Sequence, residues 1–323
     1  MTEKSLGICV LGGTGFVGTE LVTRLAEAGH IVRVPTRNLS HGNHLKVLPT
    51  LQLVAANVHD SRALGRLFEG MDVVVNLIGI LNERGRHSFR AVHAELAGKV
   101  VEAMRASRVT RLLHMSSLGA GAQAPSKYLR SKGEAEALIR VSAASLDATI
   151  FRPSVIFGTR DSLTNRFANL LRLSRGVLPL ARPRARFAPI WVWDVVEAFV
   201  RALNDRQTIG KSYELCGPDV MTLAELVRAV AASAHLPCHL IPLPDFLARM
   251  QAFVMDFVPG KPFSTDNYKS LTIDSICRQD GCGALGIQPT HMHGVIAAFL
   301  SDHSTQRQLD NYRRSAAGSP RPD

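Results

Sequence analysis

Tyr128 and Lys132 stand four residues apart in Ser126-Lys127-Tyr128-Leu129-Arg130-Ser131-Lys132, a spacing that puts both side chains on one helix face. In that geometry a lysine ammonium can lower the phenol's pKa and hold a nicotinamide ribose. The phenol can then pass a proton to or from a substrate oxygen as hydride moves. Ser117, at the end of the strand before this helix, is placed to orient that oxygen. Such a pair is common on any helix, so its meaning depends on a site for a hydride carrier. Val10-Leu11-Gly12-Gly13-Thr14-Gly15-Phe16-Val17-Gly18 offers one. Gly12 permits a tight turn, Gly15 lets backbone approach a pyrophosphate, and Gly18 allows close packing of helix on strand. Gly12, Thr14, Gly15, Phe16, Val17 and Gly18 are therefore expected at the cofactor, with the positive end of the following helix facing its phosphates.

The surrounding pattern supplies the elements that position these groups. An apolar run from Leu6 to Leu11 reads as a strand, and Phe16, Val17, Leu21, Val22, Leu25 and Ala28 share one helix face. Ile31 to Pro35 reads as a second strand, ending Pro35-Thr36-Arg37-Asn38. An acid at that position would bind the ribose hydroxyls of NAD, whereas an arginine accommodates the extra phosphate of NADP. The acid is absent and Arg37 is present, so NADP(H) is preferred over NAD(H). Further strands are expected over Leu51 to Ala55, Val73 to Ile78, Arg111 to Met115 and Ser145 to Phe151. Helices alternate with them: one capped by Asp60 or Ser61, one over Ala91 to Arg105, and the Tyr–Lys helix through about Val141. This alternation predicts an α/β fold, a Rossmann-like doubly wound parallel sheet with a small C-terminal helical substrate or partner lobe. We expect an NAD(P)-binding domain over 1–234, with a basic insertion near 160–186, then a helical lobe over 235–302. A disordered tail is expected over 303–323.

Composition narrows the class. The 323 residues are 46% apolar and 20% charged, ordinary for a globular protein, and carry a formal net charge of +11. That charge suits an acidic partner, anionic lipid or a phosphate-bearing ligand, and no nucleic-acid motif accompanies it. No apolar stretch reaches the ~18 residues of a membrane-spanning helix, and no signal peptide precedes the first strand. A cytoplasmic protein is expected, peripheral to the inner membrane if it is membrane-associated. The five cysteines form no C-x-x-C pair and read as reduced thiols. His291 and His293 lack a third ligand, so no metal site is expected.

Several landmarks together carry a family resemblance. Gly12 to Gly18, Asp60, Asn76-Leu77-Ile78-Gly79, Ser117, Tyr128, Lys132 and Arg152-Pro153 make the chain similar to extended or atypical short-chain dehydrogenase/reductases. Asn76-Leu77-Ile78-Gly79-Ile80-Leu81, the Tyr–Lys segment and Phe151 to Gly158 resemble one branch. It contains the Rossmann-type accessory subunit of respiratory complex I (alpha-subcomplex subunit nine) and its bacterial relatives. The resemblance runs from about residue 5 to 302. It implies cofactor contacts from Asp60, Asn76, Gly79, Arg152 and Pro153 besides those above, and Ser117, Tyr128 and Lys132 as the catalytic set. It further implies an NADPH that can be held without turnover, near quinone metabolism or the respiratory membrane. An active NADP-dependent reductase of a small or lipid-like carbonyl is the alternative, and a quinone-like or lipid-like small molecule is the ligand expected besides NADP(H). A nucleotide-sugar epimerase or dehydratase is the weaker one, since the small residues of Leu118 to Pro125 leave little to grip a sugar nucleotide. The acid usual just before Asp60 is replaced by Asn57.

Downstream, Asp194 is expected to cap a helix, and Thr222-x-x-Glu225 reads as a capping box. Phe246, Leu247, Met250, Phe253, Val254, Phe257 and Val258 recur as one helical stripe. It is expected to pack on the lobe's own core, the alternative being a docking face for membrane or a hydrophobic protein partner.

Overall fold

The structure, a computed structural model, describes residues 5–83, 85, 87–258 and 261–298. Its first six strands are β1 (Gly7–Leu11), β2 (Ile31–Thr36), β3 (Leu51–Ala55), β4 (Val73–Asn76), β5 (Arg111–Met115) and β6 (Asp147–Pro153). Four short strands follow: β7 (Ile156–Phe157), β8 (Val177–Leu180), β9 (Arg186–Phe187) and β10 (Ile190–Trp191). Then β11 (Ser212–Leu215) completes a seven-stranded parallel sheet in the order β11-β6-β5-β4-β1-β2-β3. The short strands pair beside it, β7 with β10, β9 with β12 (Met221–Thr222), and β8 with β13 (His239–Pro242).

Helices cover both faces of the sheet. On one side lie α1 (Phe16–Glu27) and, later in the chain, α6 (Val192–Asn204). On the other lie α2 (Ser61–Phe68), α3 (Leu96–Ala106) and α4 (Lys127–Val141). Ile8 and Val10 of β1 pack with Leu21, Leu25, Val195 and Phe199, while Cys9 and Leu11 pack with Leu64, Phe68, Val100 and Met104. A strand buried on both faces needs an apolar residue at every position, which is why β1 shows no alternation. The doubly wound Rossmann-like architecture is thus present. Beyond β7, α5 (Ser162–Leu173), α7 (Leu223–Ser233), α8 (Asp245–Met255), α9 (Thr265–Ser270) and α10 (Gly281–Ala284) build the remainder.

Several local expectations are corrected. The fourth strand stops at Asn76, whose Oδ1 accepts the Ile78 amide at 3.2 Å and turns the chain out of the sheet. The sixth begins at Asp147 and continues through Pro153. The helix expected from Ala91 opens as a π-helical turn, Ala91–Glu95, before α3. Asp194 does not cap α6. It sits in the first turn and accepts from the Thr290 amide at 2.8 Å and hydroxyl at 3.1 Å, tying the chain's later part to the sheet. The Thr222–Glu225 capping box forms as expected. Cys216 and Cys277 make a disulfide, which overturns the reduced-thiol reading for these two, while Cys9, Cys238 and Cys282 are free. At a sequence separation of 61, only the fold's return to the end of β11 brings this pair together.

The largest correction concerns α8. It seats on the body through its small residues, Ala248 and Ala252, which are fully buried against Ala181 and Tyr268. Its stripe points the other way: Phe246 is 74% exposed, Phe253 61% and, just past the helix, Phe257 77%. The stripe is therefore outside the lobe's core. The lobe also contains a strand, β13, where only helices were expected. The tail expected to be disordered, 303–323, lies outside the described residues.

Candidate cofactor and catalytic site

The chain leaves β1 through Gly12, whose φ of +83° lies in the left-handed region that favours glycine. Gly15 N–H closes the turn on Gly12 O at 3.0 Å. A Cβ on Gly18 would lie 2.1 Å from that same carbonyl, so α1 can approach the turn this closely only with glycine there. Val17 and Gly18 are buried in this packing, whereas Thr14, Gly15 and Phe16 stay accessible at the rim. No side chain caps α1 at Gly15, and no acid occupies its first turn. Its leading N–H groups and positive dipole end are thus left to an anion.

At the neighbouring strand end, Thr36 is buried and Arg37 is exposed. The Arg37 guanidinium lies 3.4 Å from His87 Nε2, and the His87 and His59 rings are 6.1 Å apart. Lys99 Nζ donates to the His59 carbonyl at 2.8 Å. Burial, then the charges of Lys99, His87 and Arg37, hold the His59 imidazole below its usual pKa. These groups form a basic cluster beside the place where an NAD enzyme keeps a carboxylate. Asp60 is partly committed elsewhere, since its Oδ1 caps α2 by accepting the Arg62 amide at 2.9 Å.

Ser117, Tyr128 and Lys132 come together at the carboxyl ends of β4 and β5. Ser126 caps α4 through the Leu129 amide at 3.2 Å. Asp266 of α9 caps it a second time, accepting from Lys127 N–H at 2.7 Å and Tyr128 N–H at 3.1 Å. The Tyr128 ring is held edge-on by His93 at 5.5 Å and Phe89 at 5.9 Å. Burial raises its phenol pKa, and a hydrogen bond with the Ser117 hydroxyl pulls it partly back. This corrects the expectation that Lys132 lowers it: desolvation prevails, and the phenol stays protonated.

Lys132 is 3% exposed, its Nζ donating to Met115 O at 3.0 Å and Ile78 O at 3.5 Å. Burial pushes the amine down to about 8, against the opposing charge of Glu136. Gly79 brings backbone close to that amine; a Cβ there would lie 3.2 Å from Nζ. Asn76 Nδ2 faces His114 Nδ1 at 3.3 Å. His93 Nε2 accepts the Ile80 amide at 3.1 Å, while its Nδ1 meets Ser131 Oγ at 2.8 Å and Ser131 donates to Tyr128 O at 2.7 Å. This chain of partners needs a neutral His93 with its proton on Nδ1. Burial first, then the charge of Lys132, pushes His93 down to about 2 and His114 to about 3.

Arg152 and Pro153 end β6, but the Arg152 guanidinium is engaged in a bidentate pair with Glu136, which raises its pKa. Pro153 is a ladder residue opposite Leu215 of β11. The resemblance-based cofactor positions thus divide. Gly12 to Gly18, Arg37, Asn76, Gly79, Tyr128 and Lys132 lie at the strand ends, while Asp60 and Arg152 have structural partners. Ser116 Oγ and His114 Nε2, buried beside the Tyr–Lys face, have no partner among the described residues. Uncommitted polar atoms beside a glycine cradle fit a dinucleotide.

Comparison with known proteins is decisive for family. Residues 12–169 match the family described as NAD(P)H-binding. The mitochondrial NADH dehydrogenase [ubiquinone] 1 alpha subcomplex subunit 9 of Arabidopsis thaliana is 34% identical over 309 residues, covering 90% of this chain and 76% of that protein. The chain belongs to the alpha subcomplex subunit 9 family of short-chain dehydrogenase/reductase-like proteins. It is also 32% identical over 240 residues to the ceramide reductase of Caulobacter vibrioides, 74% of each chain. Among solved structures, MoeE5 in complex with UDP-glucose and NAD superposes with a TM-score of 0.71 over 94% of this chain and 99% of that one. At 19% identity that likeness speaks for the fold alone.

Within this family member, sequence reasoning missed His93, His114, Ser131, Glu136 and Asp266. His93 sits in a stretch that reads as ordinary helix, and its contacts are 13 and 38 residues away in sequence. Asp266 caps α4 across 138 and 139 residues, a separation at which no local pattern operates. His291 has its Nδ1 2.8 Å from Asp219 Oδ1.

Proposed function

We propose that the chain binds NADP(H) in preference to NAD(H), as a protein of the complex I accessory-subunit type that works near quinone metabolism or peripheral to the respiratory membrane. The observation that carries the cofactor assignment is the basic cluster of Arg37, His59, His87 and Lys99 at a strand end without an acid. A phosphate on the adenosine ribose would meet Arg37 there. Gly12, Thr14, Gly15 and Phe16 would receive the pyrophosphate, and Asn76, Gly79, Tyr128 and Lys132 the nicotinamide end. Among the described residues no helix is long and apolar enough to cross a membrane. Titration calorimetry with Arg37→Ala tests this. Losing a charge-assisted phosphate contact should weaken NADPH by about 1.5–3 kcal/mol and leave NADH nearly unchanged. Equal losses for both cofactors would refute the role of Arg37.

A second reading is favoured by the joint position of Ser117, Tyr128 and Lys132: reduction of a quinone-like or lipid-like carbonyl. The likeness to a ceramide reductase supports it. Bound NADPH would supply the hydride. Tyr128, kept protonated by burial, would give its proton to the substrate oxygen, and Ser117 would orient that oxygen. Lys132 would hold ribose. Tyr128→Phe should then abolish turnover of long-chain ketones or quinones while sparing NADPH affinity; undiminished turnover would exclude Tyr128 as the acid.

A further inference from the structure

The α8 helix is built inside out for a helix that ends at its own core. Its two buried residues, Ala248 and Ala252, are small, and its large apolar residues face solvent. Phe246, Met250, Phe253, Val254 and Phe257 are all about half exposed or more, and the Phe253 and Phe257 rings stack edge to face at 5.4 Å. Exposed apolar side chains scattered singly need no explanation, but a contiguous stripe marks an interaction surface. The helix has 11 residues, too few to span a bilayer and enough to lie in its interface.

Charge decides what the surface fits. The acids near the stripe are engaged: Asp245, itself exposed, pairs with Arg249 and accepts from Tyr268, Asp256 accepts from Thr265, and Asp266 caps α4. Lys261, Lys269, Arg175 and Arg184 have no carboxylate partner among the described residues. The segment 160–186 adds seven arginines against one acid, Asp161, which is buried and caps α5. It joins the α8 region through the β8–β13 pair and the contact of Arg182 with Asp245. Val177 of β8 and Ile241 of β13 are further exposed apolar residues on that strand pair. An apolar stripe beside unpaired basic groups matches the boundary of an anionic bilayer. A second copy of this chain, at +11 itself, would bring like charges together.

We propose that the α8 stripe docks this protein on anionic membrane, with Phe246, Met250, Phe253 and Phe257 entering the headgroup–acyl boundary. The placement of α8 relative to the site adds meaning. α9, which packs on α8, caps the Tyr128 helix, and Lys261 O and Leu81 O accept from Asn82 and Asn267. The segment that follows α8 therefore touches the loop after β4 and the start of the Tyr128 helix. The proposal does not depend on the identity of the cofactor or on turnover.

The test is sedimentation of the full chain with vesicles of phosphatidylcholine, with and without a quarter phosphatidylglycerol, at low and high salt. The wild type should pellet with the anionic vesicles at low salt and release at high salt. Phe253→Asp should lower partitioning by about tenfold or more, as expected when a charge replaces a buried aromatic. Phe257→Asp gives the same reading if the first variant folds poorly, with NADPH-independent thermal unfolding as the folding check. Phe253→Trp, which keeps the apolar surface, should shift its emission to the blue on adding anionic vesicles. A wild type that stays in the supernatant at low salt overturns the proposal. So does partitioning that Phe253→Asp and Phe257→Asp leave unchanged, or a dimer in solution that Phe253→Asp dissolves.

Discussion

The helices α1 and α8 read alike in sequence, each with an apolar stripe at helical spacing, yet the fold uses them in opposite ways. In α1 the stripe, Leu21, Val22 and Leu25, is fully buried against the sheet. In α8 the alanines are buried and the phenylalanines are outside. Periodicity specifies a helix and the width of its apolar face, but not what lies opposite that face. For α1 the partner is the sheet formed by strands on either side of it in the chain. For α8 the inward partners are Ala181 and Tyr268, and it meets them with alanines.

The sharpest way to break this comparison is to place the same charge on both stripes. Leu21→Asp buries an unpaired carboxylate and should destabilise the fold by more than about 4 kcal/mol, with loss of soluble protein. Phe253→Asp, on an exposed position, should change stability by less than about 0.5 kcal/mol in a urea titration. Comparable losses in the two variants would show that α8 is buried in solution.

Acid probes the buried side next. His93 and His114 are neutral when folded, with pKa values lowered to about 2 and 3, but titrate near 6.5 when unfolded. Their contribution is therefore complete above 6.5 and is lost as pH falls below it, since the unfolded chain then binds more protons. Each should add about 1.4 kcal/mol of lost stability per pH unit in that window. His114→Asn should flatten the slope between pH 6 and 4 by one such increment. An unchanged slope would mean that the ring is reached by solvent.

A smaller effect of opposite sign is expected at Lys132. With its amine lowered to about 8, the folded state carries a desolvated charge at pH 7 that the unfolded state carries in water. Lys132→Met should raise stability by about 1–3 kcal/mol at pH 7 while removing cofactor affinity. The gain should shrink as pH rises from 8 to 10.5, where the folded state has lost the proton that the unfolded state still holds. A destabilised variant at pH 7 would show that the bonds to Met115 O and Ile78 O outweigh burial. Smallest is Thr222→Ala, which removes one side of the capping box of α7 and should cost about 1 kcal/mol in the same titration.

What was legible in the sequence follows the same division. Gly12 to Gly18 and the Tyr128–Lys132 spacing are local patterns, and each strand of the nucleotide-binding half was recognisable from its own apolar run. Groups that meet across the fold were not legible. Asp266 on the Tyr128 helix, Glu136 on Arg152 and Cys216 on Cys277 each join segments that no periodicity links. The direction of the Tyr128 shift was also hidden, because it depends on how much water the fold removes from the phenol. The spacing to Lys132 gives only the sign of one contribution.

The central claim is that this glycine cradle with Arg37 beside it holds NADP(H). The most direct measurement is calorimetric titration of one wild-type preparation, stripped of nucleotide, with NADPH and with NADH. The account predicts NADPH binding tighter by about 1.5–3 kcal/mol, roughly tenfold or more, the value of a charge-assisted phosphate contact. Equal affinities, or tighter NADH, would contradict it.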